Sequence, residues 1–480
     1  CQEHEIRLIV DAAHPFASQL HHTVVRVADS LNIPAIRYER IYPPRDPDIT
    51  WIDDYSQVPH DIRSLLATTG VQSIARLKPL EARGVRLFYR ILPRESSIAL
   101  ARQQGATAGQ LCFFEDGGDI DVEAEAILMK ESGLTGGFRE KVEAARKRGM
   151  RIVVLKHPPM PWGMNVVNGP YGLRRMVERL LPEFYPLHSG LTTGTCATAA
   201  AVAAAIQLLT GTTPGEVPVV LPDGETIHVS VFYGDGYAGC VKNAGDDPDV
   251  TNGVEVRASV ECVASSCPCR DKAAGQHALP EKGGEGRGTG ITILGGDGVG
   301  IFTLPGFDYP PGSPAINRVP REMIEHNLRA VLSPLTPHFS PLTVTISIPQ
   351  GAELARHTFN PRLGIEGGIS IIGVSGIVKP YSEDAFIDSI LKCMTVAKAS
   401  GTECVVINSG GKSEHYVKAR YPDLPQQAFV EYGNYVGETL RIAHELGFRQ
   451  VVLGVMLGKA VKLAAGHLDT HSRKSSHSSS

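Results

Sequence analysis

Residues 360–381 read NPRLGIEGGISIIGVSGIVKPY. Gly364, Gly367, Gly368, Gly373 and Gly376 break the apolar runs, and Arg362, Glu366 and Lys379 supply charge at the two ends. No packed core needs that composition. Glycine admits tight turns and lets a ligand approach the backbone closely, so a loop shaped around a ligand is expected here.

After Lys379 the pattern is βα. A helix with Glu383 and Asp384 in its first turn precedes a strand over 403–408, and a second strand covers 451–454. Ser409, Gly410 and Gly411 follow the first of these strands and precede a possible helix, a nucleotide-type turn. Lys459 and Lys462 lie on a short helix after the second, either solvated or meeting a polyanion. Before residue 360, strand-like runs appear at 226–232, 254–264, 290–294 and 342–349, behind a helix expected over 196–209 with Thr192, Thr193 and Thr195 able to cap it. GGDGVG (295–300) follows a strand but leads into another apolar stretch, which weakens a dinucleotide reading. KNAGDDPDVTNG (242–253) gathers Asp246, Asp247 and Asp249 without the spacing of a calcium loop; it reads as a solvated turn or as a holder of a cationic or hydroxyl-bearing ligand.

Residues 1 to about 182 alternate strand and helix patterns throughout. Strands are expected at 6–10, 85–92, 111–114, 126–129 and 152–155, and helices at 96–104, 138–148 and 172–181. Phe16, Leu20, Val24, Val27 and Leu31 are spaced for one helix face, with Pro15 in its first turn. The fold class expected is an α/β doubly wound parallel-sheet N-terminal domain, followed by an α+β domain with an α/β lobe. The joint is LPEFYPLHSG (181–190). Ligands of a doubly wound sheet sit beyond the carboxyl ends of its strands. DAAHPF (11–16) offers His14, with Asp11 to orient it or to contact a ligand, while its spacing alone favours a helix cap and turn. KESGLTGG (130–137) offers Lys130 and the turn residues Ser132, Gly133, Gly136 and Gly137 before a helix, in the wrong order for a P-loop.

The totals narrow the class further. A chain of 480 residues with 42% hydrophobic and 20% charged residues has ample material for two large domains or three smaller ones. A net charge of -4 argues against non-specific nucleic-acid binding. Nine cysteines without regular pairing suit a reducing compartment, and a cytoplasmic location is expected. Cys262, Cys267 and Cys269 have only His277 nearby as a fourth ligand, so no metal site is expected. No uninterrupted membrane-spanning length occurs; the alanine-rich 199–209 is broken by Gln207.

From about residue 187 the chain resembles the cobalt-precorrin-5B C1-methyltransferase family. The likeness rests on GLTTGTCATAAAVAAA (190–205), VKNAGDDPDVTNG (241–253), GGDGVG (295–300), PAINRVPREMI (314–324), FNPRLGIEGGISIIGVSGIVKPYSEDAF (359–386), INSGGKSE (407–414) and GKAVKLAAGHLDTHS (458–472). Arg318 stands where that family usually has proline. Residues before about 182 resemble the precorrin-6A reductase family through DAAHPFA (11–17), RYER (37–40), RILP (90–93) and KESGLTGGFREKVEAA (130–145). That family opens with a strand and glycine-rich turn upstream of Cys1, and CFFEDGGDIDVEAE (112–125) is unlike it, so an incomplete reductase domain is expected over 1–186. The methyltransferase domain is expected over 187–480, with its α+β body at about 187–380 and its α/β lobe at about 381–472, and with its C-terminal segment cut short.

The resemblance implies S-adenosylmethionine as methyl donor, NADH or NADPH as reductant, and a cobalt-bearing polycarboxylated tetrapyrrole as substrate. The two reactions are consecutive, which gives a fusion its chemical sense. The turns Gly364–Gly368 and Ser409–Gly411 are expected to wrap the donor, with Glu366 or Asp247 on its ribose hydroxyls or sulfonium. Arg362, Lys379, Lys412 and Lys459 are expected on the carboxylate arms. His14, Lys130 and Asp11 are expected to serve the reductase half. No nucleic-acid or membrane partner is expected. A tetrapyrrole-binding scaffold without catalysis is the alternative.

Overall fold

The computed structural model describes residues 4–113, 122–262, 290–335 and 341–467. Cys267, Cys269, His277 and the terminal HSRKSSHSSS lie outside them, as does most of 112–125. The chain forms two compact units, Cys1–Phe184 and Tyr185–Ser480.

The first unit contains strands β1 (Ile9–Asp11), β2 (Ala35–Tyr38), β3 (Thr50–Ile52), β4 (Ser64–Ala67), β5 (Arg86–Ile91), β6 (Leu111–Phe113), β7 (Ala126–Lys130), β8 (Arg151–Leu155) and β9 (Asn165–Val167). Six of them make a parallel sheet in the order β3-β8-β7-β4-β5-β6, and β1-β2-β9 make a second parallel sheet. Because side chains alternate along a strand, the larger sheet feeds two cores. Leu65, Leu87, Leu128 and Val153 pack with Ile74, Leu77 and Leu80 of the helix Ile74–Ala82 on one face. Leu66, Ile127, Ile152 and Val154 pack with Phe138 and Val142 of the helix Phe138–Lys147 on the other. A strand covered on both faces has to be apolar along its length, and AILM and IVVL are. Each fully buried Leu or Ile there contributes about 1.5–3 kcal/mol.

The parallel sheet with its helices agrees with the expectation from alternation; the first helix differs from it. The helix Ser18–Leu31 starts after Pro15 and Phe16 and turns His21 and Ala28 inward, leaving Leu20 49% exposed. The preceding loop delays the helix, because Asp11 accepts from the Ala13 N–H and the His14 carbonyl accepts from the Ala17 N–H.

The second unit contains β10 (Gly190–Leu191), β11 (Glu216–Val220), β12 (Thr226–Ser230), β13 (Phe232–Gly234), β14 (Tyr237–Val241), β15 (Glu255–Cys262), β16 (Ile291–Gly295), β17 (Ile301–Phe302), β18 (Leu342–Ser347), β19 (Ile365–Glu366), β20 (Ile377–Val378), β21 (Cys404–Asn408), β22 (Phe429–Glu431) and β23 (Gln450–Gly454). The run 226–232 is thus two strands: β12 pairs with β11, while β13 joins the five-stranded mixed sheet β13-β14-β15-β18-β16. The helix Thr193–Thr210 has the length and apolarity of a membrane span, yet Thr193 through Ala205 are all buried within the protein. An all-round apolar helix of that kind is the core helix of its domain. Thr192 caps it by accepting from the Thr195 N–H at 3.2 Å. Arg318 opens the helix Arg318–Leu335, a first-turn position that tolerates proline and other residues alike.

β22-β21-β23 form a three-stranded parallel sheet. Val405 and Ile407 face Ile390, Met394, Ile442 and Ala443, while Val406 faces the opposite side with Phe429 and Val417. Helices therefore cover both sides of this small sheet, Glu383–Ala399 and Val436–Glu445 on one and Lys412–Arg420 on the other.

Candidate functional sites

In the first unit the chain winds from β4 through β5 to β6 on one side of the sheet, and β7 and β8 lie on the other side of β4. The switch between β4 and β7 is where an open α/β sheet leaves a crevice beyond its carboxyl ends. A cavity of about 490 Å³ occupies that place. Thr68, Thr69 and Gly70 line it after β4, Arg90, Ile91 and Leu92 at the end of β5, and Lys130 at the end of β7, with Lys141 reaching in from the helix Phe138–Lys147. Among the described residues that line the cavity, three are cations and none is a carboxylate. Burial lowers the pKa of both lysines, assisted by Arg76 at Lys130 and by Arg90 and Arg40 at Lys141. An anion would relieve that repulsion.

His14 belongs to the same charged neighbourhood. Its residue surface is exposed, yet partial desolvation of the ring first, then Arg40, Lys130, Lys141 and Arg37, push its pKa down to about 4. Its Nδ1 accepts the Phe16 N–H at 3.3 Å, which leaves the ring proton on Nε2, and the Phe16 ring lies 4.9 Å from the Lys130 ammonium. The structure thus brings Lys130 and His14 together.

Asp11 does not orient the His14 ring as expected. Its carboxylate is buried, 2.6 Å from His21 Nδ1, and accepts from Arg37 Nη1 at 3.1 Å. Burial works to raise the Asp11 pKa, but the Ala13 N–H, His21 and Arg37 outweigh it and hold the carboxyl below its usual range. His21 Nε2 is in turn 3.2 Å from the His14 carbonyl oxygen, so Asp11 acts on the backbone of the loop. Arg37 opens the RYER motif, but nothing local marks His21, which lies inside a helix and looks like a surface residue there.

Ser132, Gly133 and Gly136 surround a side chain of the protein. A β-carbon on Gly133 would stand 2.8 Å from Arg40 Cβ, and one on Gly136 would stand 2.6 Å from Arg40 Nη1. These absences let Arg40 donate to the Ser132 carbonyl at 2.6 Å. Gly137, at φ 65°, starts the helix. Glu131, just before this turn, is held by a two-pronged contact from Arg45, both arms 2.9 Å.

In the second unit the glycine-rich segments meet one another. β-Carbons on Gly351 and Gly368 would stand 2.0 and 2.1 Å from the Gly298 carbonyl oxygen, and one on Gly364 would meet Leu304 at 2.4 Å. Gly368 and Gly364 are required by chain packing, and Gly367, at φ 80° with open space beside it, is the member of the turn that faces outward. Glu366 is exposed on β19. The three aspartates of 246–249 have internal partners: Asp246 accepts from His188, Asp247 from the Tyr381 N–H at 3.1 Å, and Asp249 from Lys242 and Thr251.

The carboxyl end of the small parallel sheet gathers several of the expected residues. Asn408, Glu431 and Gly454 lie side by side in register. Ser409, Gly410 and Gly411 turn between β21 and the helix Lys412–Arg420, with Gly410 N–H donating to Asn408 Oδ1 at 2.9 Å. Gly410 and Gly411 have φ of 80° and 52°, and Gly411 borders open space. Glu431 is half-buried, and burial raises its carboxyl pKa against the opposing pull of Arg362 and Lys459. Arg362 donates to Glu414 at 2.9 Å, and Lys459 donates to the Gly433 carbonyl. Lys412 and Lys379 are both exposed. Glu431 was not among the expected residues. A signal existed: it closes a strand twenty residues after Gly411, the offset at which an acid follows a glycine turn in nucleotide-binding βαβ units.

Residues 1–176 match the family described as precorrin-6x reductase CbiJ/CobK, and residues 182–380 the family described as CbiD. A Prosthecochloris aestuarii protein named cobalt-precorrin-5B C(1)-methyltransferase is 46% identical over 293 residues, covering 60% of this chain and 74% of that protein. One of the same name from Thermus thermophilus is 42% identical over 287 residues, covering 59% and 70%. The solved cobalamin biosynthesis protein cbiD from Archaeoglobus fulgidus is 29% identical, covering 56% of this chain and 86% of its own, with a TM-score of 0.32.

Proposed function

We propose that this chain, which belongs to the cobalt-precorrin-5B C1-methyltransferase family through its second unit, methylates C1 of cobalt-precorrin-5B with S-adenosylmethionine as donor. The observation that carries this reading is 46% identity along 74% of a protein of that name. The donor brings an activated methyl group: the ring carbon forms the new C–C bond as the C–S bond breaks, and the sulfur leaves with the electron pair. The protein is left with positioning, alignment and exclusion of water.

The turn Ser409–Gly411 and the outward-facing Gly367 are proposed for the donor. Lys379 and Lys412, both exposed, are the proposed contacts for the acetate and propionate arms. Arg362 and Lys459 are proposed to shape the site through Glu414 and Gly433.

For the first unit we propose a nicotinamide-dependent precorrin-6A reductase, consistent with its match to the reductase family. Arg90, Lys130 and Lys141 suit the phosphates of the dinucleotide or the carboxylates of the macrocycle, and His14 presents Nε2–H beside them. One chain carrying both steps raises the local concentration of the intermediate they share.

The test is mass spectrometry of cobalt-precorrin-5B incubated with the chain and S-adenosylmethionine, with and without NADH or NADPH. Gain of one methyl group supports the second unit's role. A further gain of two hydrogens with nicotinamide supports the first unit's. An unchanged macrocycle that stays bound would replace both readings with that of a scaffold.

A further inference from the structure

Glu431 is a half-buried carboxylate that makes no hydrogen bond or ion pair with any described residue. The cations nearest in charge are already engaged, Arg362 with Glu414 and Lys459 with the Gly433 carbonyl. A partly desolvated carboxylate, with room for about four hydrogen bonds, is costly to leave without donors.

The backbone is arranged to keep it there. β21 is the central strand, with β22 on one side and β23 on the other, so the chain reverses its winding at the carboxyl end of β21. Asn408 and Glu431 are register partners at that end. A β-carbon on Gly410 would stand 2.1 Å from Glu431 Oε1, so only glycine lets the carboxylate lie over the turn. Gly411 beside it borders open space.

We propose that Glu431 accepts hydrogen bonds from the ribose hydroxyls of a nucleoside seated over the Ser409–Gly411 turn. Resting on the methyltransferase reading, that nucleoside is the adenosine part of S-adenosylmethionine. The vicinal hydroxyls of a ribose present two neutral donors to the two oxygens of one carboxylate. In a parallel sheet, a nucleoside whose backbone contacts come from the turn after one strand places its ribose at the end of the next strand, which is where Glu431 stands. The acid expected for this role at Asp247 is committed to the Tyr381 N–H, and Glu366 lies on β19.

The experiment is calorimetric titration of the full chain with S-adenosylhomocysteine and with its 2′-deoxyribose analogue, for the native chain, Glu431→Ala and Glu431→Gln. The native chain is expected to prefer the ribose form, and Glu431→Ala to lose roughly ten- to a hundredfold in affinity for it while binding the deoxy form nearly as the native chain does. Should Glu431→Ala fail to fold, Glu431→Gln, which keeps the shape and loses the charge, is expected to show the same narrowing of the preference. Equal binding of both ligands by the native chain, or variants with unaltered preference, would overturn the assignment and leave the methyltransferase reading intact. Failure of the native chain to bind S-adenosylhomocysteine at all would overturn both.

Discussion

Gly410 and Glu431 are fitted to each other: a β-carbon on the glycine would stand 2.1 Å from the carboxylate oxygen. Gly410→Ala is therefore expected to displace the acid as well as strain a backbone at φ 80°. Gly411→Ala meets open space, and its cost is confined to a backbone at φ 52° and ψ -119° that side chains rarely adopt, about 1–3 kcal/mol. Binding of S-adenosylhomocysteine should fall at least tenfold for Gly410→Ala and much less for Gly411→Ala, as read by calorimetry. Equal losses would show that backbone strain alone accounts for both.

His14 should titrate near 4 when followed by histidine NMR, because partial desolvation and four neighbouring cations oppose its protonation. Lys130→Met is expected to raise that midpoint. The unfolded chain takes up this proton at about 6.5 and the folded chain only near 4, so the contribution of neutral His14 is present above 6.5 and lost as pH falls from there toward 4.

The cavity cations should bind anions in a salt-dependent way. Lys141→Met is expected to weaken NADPH or inorganic pyrophosphate binding by roughly tenfold and to flatten the dependence on ionic strength. Titration at two salt concentrations measures both. Unchanged affinity would place the anion elsewhere in the first unit.

Lys242 is a buried cation, its side chain 1% exposed, held by Asp249 and by Thr251 Oγ1 at 2.8 Å. Lys242→Met leaves Asp249 without its counter-charge and should cost about 3–5 kcal/mol in chemical denaturation. Adding Asp249→Asn should recover part of the loss, since the uncompensated charge is then gone.

Parts of the fold were legible because they depend on short-range pattern. AILM and IVVL are apolar without interruption, which marks strands covered on both faces whatever surrounds them. The run 226–232 misled for the opposite reason: two strands of different sheets abut there, and nothing local separates Ser230 from Phe232. The first helix misled because its pattern was matched to Leu20 and Val24, while the hydrogen bond between Asp11 and His21 pulls a polar residue inward. The lysine at the end of β7 was legible as a cation at a strand end. Lys141 was not, since one turn into a charged helix it looks like every other surface lysine.

Local pattern was enough to place the buried strands AILM and IVVL, the positions that need glycine and the family motifs, because periodicity, turn chemistry and motif order are properties of neighbouring residues. What fills the space beside each glycine was decided only by the tertiary structure. Gly133 and Gly136 make room for Arg40, Gly368 and Gly351 for the Gly298 carbonyl, and Gly410 for Glu431. A glycine answers the same local requirement whether a ligand, a side chain or another backbone approaches it. The approaching atom comes from a distant part of the chain, and only folding brings it near.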